Sequence, residues 1–280
     1  MKKFAKFTIS SLANIFVNIC FKFRAGRYLL EKFYKNIAEH VQTVEHKRVQ
    51  LKFYIPNDVT KWRIDTFSTK EPETLDWIDS FRENCTFWDI GANIGLYSCY
   101  AAKNLNCNVY AFEPSVFNLE LLAKNIFVNS LNEKITIVPL PLAENLMTKQ
   151  FNMSEPDWGS AKSTFGENYG HDGSILDTKF KFKTVGISID QNLSFLKLNQ
   201  PNYIKMDVDG IEHLILKGAE TCLKNVESLL IEVDEKYADQ VKNVETCLVK
   251  AGFKLYEKKQ SKMMAQSTIS SIFNQIWIKN

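Results

Sequence analysis

Short apolar runs alternate with longer mixed ones over most of the chain. TFWDI, NVYAFEP, KITIVPLPLA, PNYIKMDVDG and SLLIEVDE are rich in β-branched and aromatic residues and are bounded by polar or turn-forming ones. That pattern reads as buried strands. LYSCYAAKN, SVFNLELLAKNIFVNSL, IEHLILKGAETCLKNV and YADQVKNVETCLVKAG, which fall between or after them, read as helices. Strands alternating with helices predict an α/β fold: a doubly wound, mostly parallel sheet with right-handed crossovers. FKLYEKK and NQIWIKN close the chain with no helical stretch of comparable quality between them, so they are expected to pair antiparallel at one edge. Upstream, residues 1 to about 48 read as helical and basic, RVQLKFYIP as a strand, and KEPETLDWIDSF as a helix with Pro72 near its start. Glu144 to about Lys183 is polar and glycine-rich, and is expected to be a long loop over a cleft.

The first segment, MKKFAKFTISSLANIFVNICFKF, has its own period. At 100° per residue, Phe4, Ile9, Leu12, Ile15, Phe16, Ile19, Cys20 and Phe23 share a broad arc, opposite Lys3, Lys6, Ser10, Ser11, Asn14 and Asn18; Phe7 is out of place. This is an amphipathic helix. It is too polar for a spanning helix, and no small-x-small cleavage site follows it. Its apolar arc is expected to pack on the domain, on a second copy in a homo-oligomer, or as a peripheral contact on the inner membrane surface through residues 1–24.

Composition changes this picture little. Of the 280 residues 45% are hydrophobic and 24% charged, an ordinary globular balance, and the net charge of +3 gives no footprint for nucleic acid. Six scattered cysteines make neither a CxxC pair nor a disulfide framework, which suits a reducing, cytoplasmic compartment.

The first strand–turn–helix junction, FWDIGANIGLYS, raises the question of a ligand. The dinucleotide fingerprint is GxGxxG, with a pyrophosphate on the helix start. Here the spacing is Asp89-x-Gly91-x-x-x-Gly95. An acid beside a pyrophosphate would be repelled, whereas one beside an ammonium would be favoured. The next strand ends in Glu113, 24 residues after Asp89, where a carboxylate can accept from both hydroxyls of a ribose. Two acids and a glycine turn therefore suit S-adenosylmethionine, which carries an ammonium and a ribose but no phosphate, better than NAD.

WDIGANIGLYS, VYAFEPSVFNLELLAKN, YIKMDVDGIEHLILKGA and LLIEVDE, in that order, resemble the FkbM family of S-adenosylmethionine-dependent methyltransferases, as do KEPETLDWI and the WGSAKSTFG segment. The resemblance covers roughly residues 60 to 280. It implies a class I methyltransferase fold, Rossmann-like, with an antiparallel edge strand, and methyl transfer to an oxygen of a hydroxylated acceptor such as a sugar or a polyketide. It carries Asp89, Gly91, Gly95 and Glu113 over as cofactor residues, with Asn93 inside the same loop. Two parts are then expected: an amphipathic helical extension over residues 1–50 and the methyltransferase domain over 51–280.

Chemistry is expected at KMDVDGIEH. Asp209 and Glu212 have the spacing of a capping box, which leaves Asp207 at the strand end as the candidate base or acceptor contact. Lys205 shares its side of the strand. Glu232, ending the next strand, would share the cleft wall. Either a carboxylate takes the acceptor proton directly, or Asp207 and Glu232 hold a divalent cation such as magnesium. Trp158, Phe165, Tyr169 and His171 give the polar segment groups for a saccharide. His213 is a satisfied core or surface histidine on the simpler reading. An NAD-type oxidoreductase and a non-catalytic binding protein of the same fold are the alternatives.

Overall fold

The computed structural model describes residues 2–267 and 270–279, with side chains from residue 7 onward. Phe4, Lys3 and Lys6 of the expected arcs therefore lie outside the described side chains. Helices α1 (Lys2–Phe21) and α2 (Arg24–Ala38) come first, then a hairpin of β1 (Val41–His46) and β2 (Val49–Tyr54), and helices α3 (Asp58–Asp65) and α4 (Pro72–Asp79). The alternating part begins with β3 (Thr86–Ile90), α5 (Leu96–Leu105), β4 (Asn108–Phe112), α6 (Val116–Val128) and β5 (Ile135–Val138). An insert of β6 (Met147–Met153), β7 (Ser163–Phe165) and β8 (Phe180–Gly186) follows. The chain continues through α7 (Ile189–Ser194), β9 (Tyr203–Met206), α8 (Glu212–Lys217), β10 (Ser228–Asp234), α9 (Ala238–Lys250), β11 (Phe253–Lys259), α10 (Lys262–Ala265) and β12 (Ile272–Lys279).

The central sheet has seven strands in the order β11-β12-β10-β9-β3-β4-β5. All pairings from β10 to β5 are parallel. β12 runs antiparallel to both its neighbours, so the last two strands do pair antiparallel at one edge, with β11 outermost and the reversed strand next to it. Strands buried on both faces need apolar residues on both, and alternation divides them. Phe87, Tyr203 and Leu230 point into one core with Leu51, Phe53, Leu75, Trp77 and Tyr100. Trp88, Ile90, Ile204, Met206 and Ile231 point into the other with Ile215, Leu216, Val244 and Leu248. The order of the chain reverses between β3 and β9, which are adjacent in the sheet, and a cleft opens beyond their carboxyl ends.

Several elements differ from the sequence reading. Val41–His46 is a strand, not a continuation of the basic helices: its V-x-T-V alternation pairs with β2, and the hairpin straddles residue 50. Asn125 of α6 and Asn129, which caps its end, accept from the backbone N–H groups of Tyr54 and Lys52 at 2.9 Å each, which pins the hairpin to the domain. The segment from Glu144 to Lys183 holds a three-stranded antiparallel sheet, order β7-β6-β8. Phe151 and Phe165 are buried beneath it, and its polar alternation reflects one wet face. α8 stops at Lys217, and the chain then makes a short 3-10 turn at Cys222–Asn225. The apolar arc of α1 does not cover the domain. Ile9, Leu12, Ile15, Phe16 and Ile19 stay exposed, as do Tyr28, Phe33, Tyr34 and Ile37 of α2. No described helix is long and apolar enough to cross a membrane. All six cysteines are free, with Cys85 and Cys107 in thiol–thiol contact at 2.8 Å.

Candidate active site

The loop after β3 is built by its own backbone. Gly91 and Gly95 adopt φ of +83° and +85°, the left-handed region that glycine enters without a steric penalty. A Cβ on Gly91 would lie 1.9 Å from the Asp207 carbonyl oxygen, so this glycine lets the loops after β3 and β9 touch. A Cβ on Gly95 would lie 2.5 Å from Leu122 Cδ1, so Gly95 serves the packing of α5 on α6 and is not among the residues lining the cleft. Every N–H of residues 91–95 is used internally. Gly91 and Ala92 donate to the Phe112 carbonyl, Asn93 to Glu113 Oε2, Ile94 to Asn93 Oδ1 and Gly95 to the Ala92 carbonyl. None of these five N–H groups is available to cradle a phosphate.

A cleft of ≈ 250 Å³ runs over the strand ends. It is lined by Gly91, Asn93, Phe112, Glu113, Asn118 and Leu142, from around the ends of β3 and β4 and beyond, and by Asp207, Asp209, Glu232, His171, Lys162 and Phe165, from the ends of β9 and β10 and from the insert. A smaller recess of ≈ 40 Å³ continues from it between Arg63, Lys70, Glu71, Tyr97 and Lys205. Glu113 ends β4 almost fully buried, and its two oxygens accept from the backbone of Ser115 at 2.7 Å and Asn93 at 2.8 Å. Burial outweighs these donors and pushes its carboxyl up to about 7. Asn93 donates its side-chain amide to the Ser160 carbonyl, tying the loop to the insert.

Asp89 lies beneath the cleft, fully buried, with one oxygen accepting from Ser98 Oγ at 2.6 Å and the other unpartnered. Burial raises its pKa, and Lys205, its register partner on β9, opposes the rise. Lys205 is itself buried at 1% exposure, bonds to Asp207 at 2.9 Å and lies over the Tyr97 ring. Burial would lower its pKa, but Asp207, Asp89 and Glu71 together raise it. Asp207 balances the same way: burial pushes it up, while Lys205 and Lys70 hold its carboxyl below the usual range. Ile231 stands opposite Met206 in the β9–β10 register, so Asp207 and Glu232 follow side by side at the strand ends and share the cleft wall. Burial, Asp207 and Glu71 push the Glu232 carboxyl well up.

The capping box does not form. α8 starts at Glu212, with Ile211 in the cap position and no side-chain cap. Asp209 adopts φ +60° and instead accepts from the backbone N–H groups of Lys162 and Ser163, at 2.8 and 3.2 Å, so it anchors the start of β7. Glu212 is buried and holds the turn from inside, accepting from the N–H groups of Val208 and Gly210 and from Gln240. His213 is buried away from the cleft, edge-on to Tyr237. Among the described residues no three His, Cys, Asp or Glu side chains stand where they could hold a metal ion, so the divalent cation gains no support.

Sequence reasoning missed Glu71, Lys70 and Arg63. Glu71 is buried, ion-paired with Lys70 and hydrogen-bonded to Tyr97 at 2.9 Å. Arg63 reaches the cleft from α3, donating Nε to the Gly159 carbonyl at 2.7 Å. It also missed Asp234, which is buried and bonded to His171 Nδ1 at 2.9 Å. The KEPET and WGSAKST segments were the available signals, since Lys70–Glu71 and Ser160–Ser163 lie in them.

A doubly wound sheet of this strand order, with acids at four consecutive strand ends under one cleft, is Rossmann-like and of the class I methyltransferase type. A model of the methyltransferase FkbM domain matches residues 89–255, and the chain belongs to that family. Hexuronic acid methyltransferase AglP from Haloferax volcanii is 27% identical over 173 residues, which are 61% of this chain and 65% of that protein, a little under two thirds of the relative's length. Among solved structures, a precorrin-6y C5,15-methyltransferase from Geobacter metallireducens is 13% identical, with 75% of this chain and 87% of that one covered and a TM-score of 0.45. TYW2 of M. jannaschii in complex with AdoMet is 14% identical, with 86% and 88% covered and a TM-score of 0.45.

Proposed function

We propose that the chain transfers a methyl group from S-adenosylmethionine to a hydroxyl of a sugar, with a hexuronic acid as the acceptor class. The carrying observation is the loop of residues 91–95, whose N–H groups are all engaged, beside the buried Glu113. A pyrophosphate would find no donors there and a carboxylate in its way, whereas a ribose would find an acceptor. The residues also fit the rest of the donor. Arg63 and Lys70 line the recess that would take a carboxylate, while Asp89 lies below it and lines neither cavity. Phe112 and Leu142 offer apolar wall to a purine ring. When bound, S-adenosylmethionine supplies an activated methyl group on a sulfonium. The chain's task is then to orient the acceptor oxygen and remove its proton.

In this reading Glu113 and Asn93 hold the cofactor. Asp207 is kept ionised and fixed by Lys205, and with Glu232 it faces the acceptor. The named relative supports the sugar acid as acceptor class. Residues 1–38 are proposed as an appendage to the methyltransferase domain, which moves the division to the start of β1. The test has two parts. Calorimetry should show binding of S-adenosylmethionine and none of NAD. Incubation with a hexuronic acid glycoside should then give a product heavier by one methylene. Binding of NAD alone would overturn the reading.

A further inference from the structure

We infer that His171, held by Asp234, is the base that takes the acceptor's hydroxyl proton; the inference rests on the methyl transfer proposed above and names the group that completes it. His171 comes from the insert, between β7 and β8, and lines the cleft together with Asp207, Asp209 and Glu232. Its Nδ1 lies 2.9 Å from Asp234 Oδ2. Asp234 is 2% exposed and does not move freely: its other oxygen accepts from the Lys236 N–H at 2.9 Å, and its own N–H donates to Gln240. A fixed carboxylate on Nδ1 selects the tautomer with the proton there. The lone pair is then on Nε2, at the opposite edge of the ring, and the bond to Asp234 is the one side-chain hydrogen bond of His171 among the described residues. The ring is also placed by packing. The Gly170–His171 backbone lies against Gly210, where a Cβ would come within 2.9 Å of the His171 Cα. Gly173 lies against the Tyr237 ring.

Neither carboxylate beside it suits the task as well. Asp207 is committed to Lys205, and both Lys205 and Lys70 disfavour its protonation. Glu232 lies in the reverse situation, its ionised form disfavoured by burial and by the acids around it. The His171 imidazole is paired with a carboxylate instead of a cation, and its second nitrogen is not committed to another side chain among the described residues. The step balances within the proposed reaction. The acceptor O–H bond breaks toward Nε2 while the oxygen bonds to the methyl carbon. The carbon–sulfur pair leaves with sulfur, which becomes a neutral thioether. The imidazolium formed is stabilised by Asp234 and later loses its proton to water. The charged groups facing the ring are Asp234 from β10, Asp209 from the turn after β9 and Asp172 from its own loop. Glu232 and Lys162 line the same cleft.

The first test needs no acceptor. Nitrogen NMR of histidine-labelled protein, with S-adenosylhomocysteine bound and the signal assigned by His171→Gln, should show neutral His171 protonated at Nδ1 and bare at Nε2. In Asp234→Asn that preference should be lost. A proton on Nε2 in the wild type overturns the inference, whether or not the acceptor class is right. The second test uses a hexuronic acid glycoside. His171→Gln should bind S-adenosylmethionine as tightly as wild type yet turn over 10²- to 10⁴-fold more slowly, the range for loss of a general base. Asp234→Asn should shift the acidic limb of the pH–rate profile, which a merely structural contact would not do. Turnover of His171→Gln within threefold of wild type, over an unchanged pH profile, overturns it. Wild type that binds the cofactor but leaves the glycoside unmethylated counts against the sugar-acid reading, and the NMR result then decides His171 alone.

Discussion

At the scale of single residues the cleft is governed by which carboxylates are paired. Glu113 already accepts one backbone N–H on each oxygen, so it is fixed before any ligand arrives. Replacing it with alanine removes the proposed ribose contacts, and calorimetry should show binding of S-adenosylmethionine weaker by about 1–3 kcal/mol; unchanged affinity would take Glu113 out of the site. Asp207 is a different case, because its partner Lys205 is buried. Asp207→Asn leaves that ammonium with only Asp89 and Glu71 to balance it, so stability should fall by up to about 3 kcal/mol as well as turnover. Adding Lys205→Met should restore most of the melting temperature without restoring turnover. If the double variant melts no higher than Asp207→Asn alone, the pair does not carry the stability assigned to it. Asp209→Asn should be mild, since asparagine tolerates the left-handed backbone and still offers one oxygen to Lys162 and Ser163.

At the scale of elements, strands buried on both faces were legible because burial writes itself as continuous apolar sequence, as in TFWDI and SLLIEVDE. The insert was not. β6 and β8 face water on one side, so their alternation of lysine with phenylalanine and threonine read as a polar loop. Asp207, Glu232 and Glu113 were legible as acids at strand ends. Glu71, Arg63 and Asp234 were not, because their roles depend on contacts with residues far along the chain. The helices α1 and α2 were recognisable as amphipathic, but the sequence did not say that their apolar faces stay bare. Lys22, Arg24, Arg27, Lys32 and Lys35 stand against Glu31 and the capping Glu39, which pairs with Lys35, in the second half of this pair, and this basic excess favours an anionic lipid surface over a second, equally basic copy. We expect the full chain to float with vesicles rich in anionic lipid, and less with neutral ones, since each basic residue near such a surface adds about 1 kcal/mol. Deleting residues 1–38 should abolish flotation and spare cofactor binding. A dimer by light scattering, with no flotation, would assign the face to a second copy.

At the scale of the whole molecule, distant segments close the domain. Asn274 of β12 donates to the buried Glu73 of α4, and Trp77 donates to Ser228. Because the site lies at the strand ends between the two cores, its buried acids also set how stability responds to pH. Burial raises Glu113 and Glu212 from 4.5 to about 7, and it raises Asp89, Asp209 and Glu232 as well. A raised carboxyl binds its proton more tightly in the folded state, so its contribution is complete below the unfolded value and is lost as pH rises toward the folded one. Asp207 and Glu71 are held low and act in the opposite sense, losing their contribution only in more acidic solution. Urea midpoints should therefore be highest near pH 5 and decline toward pH 8, with Glu113 alone contributing on the order of 2–3 kcal/mol of the fall. Whatever Glu113→Gln does to absolute stability, it should flatten that slope, because glutamine does not titrate. Cofactor affinity should run the other way across the same window. The ionised carboxylate accepts from ribose hydroxyls more strongly than the neutral acid, so binding of S-adenosylmethionine should tighten from pH 6 to pH 8, and in Glu113→Gln it should not. Affinity independent of pH in the wild type would mean that Glu113 is not the group on the ribose.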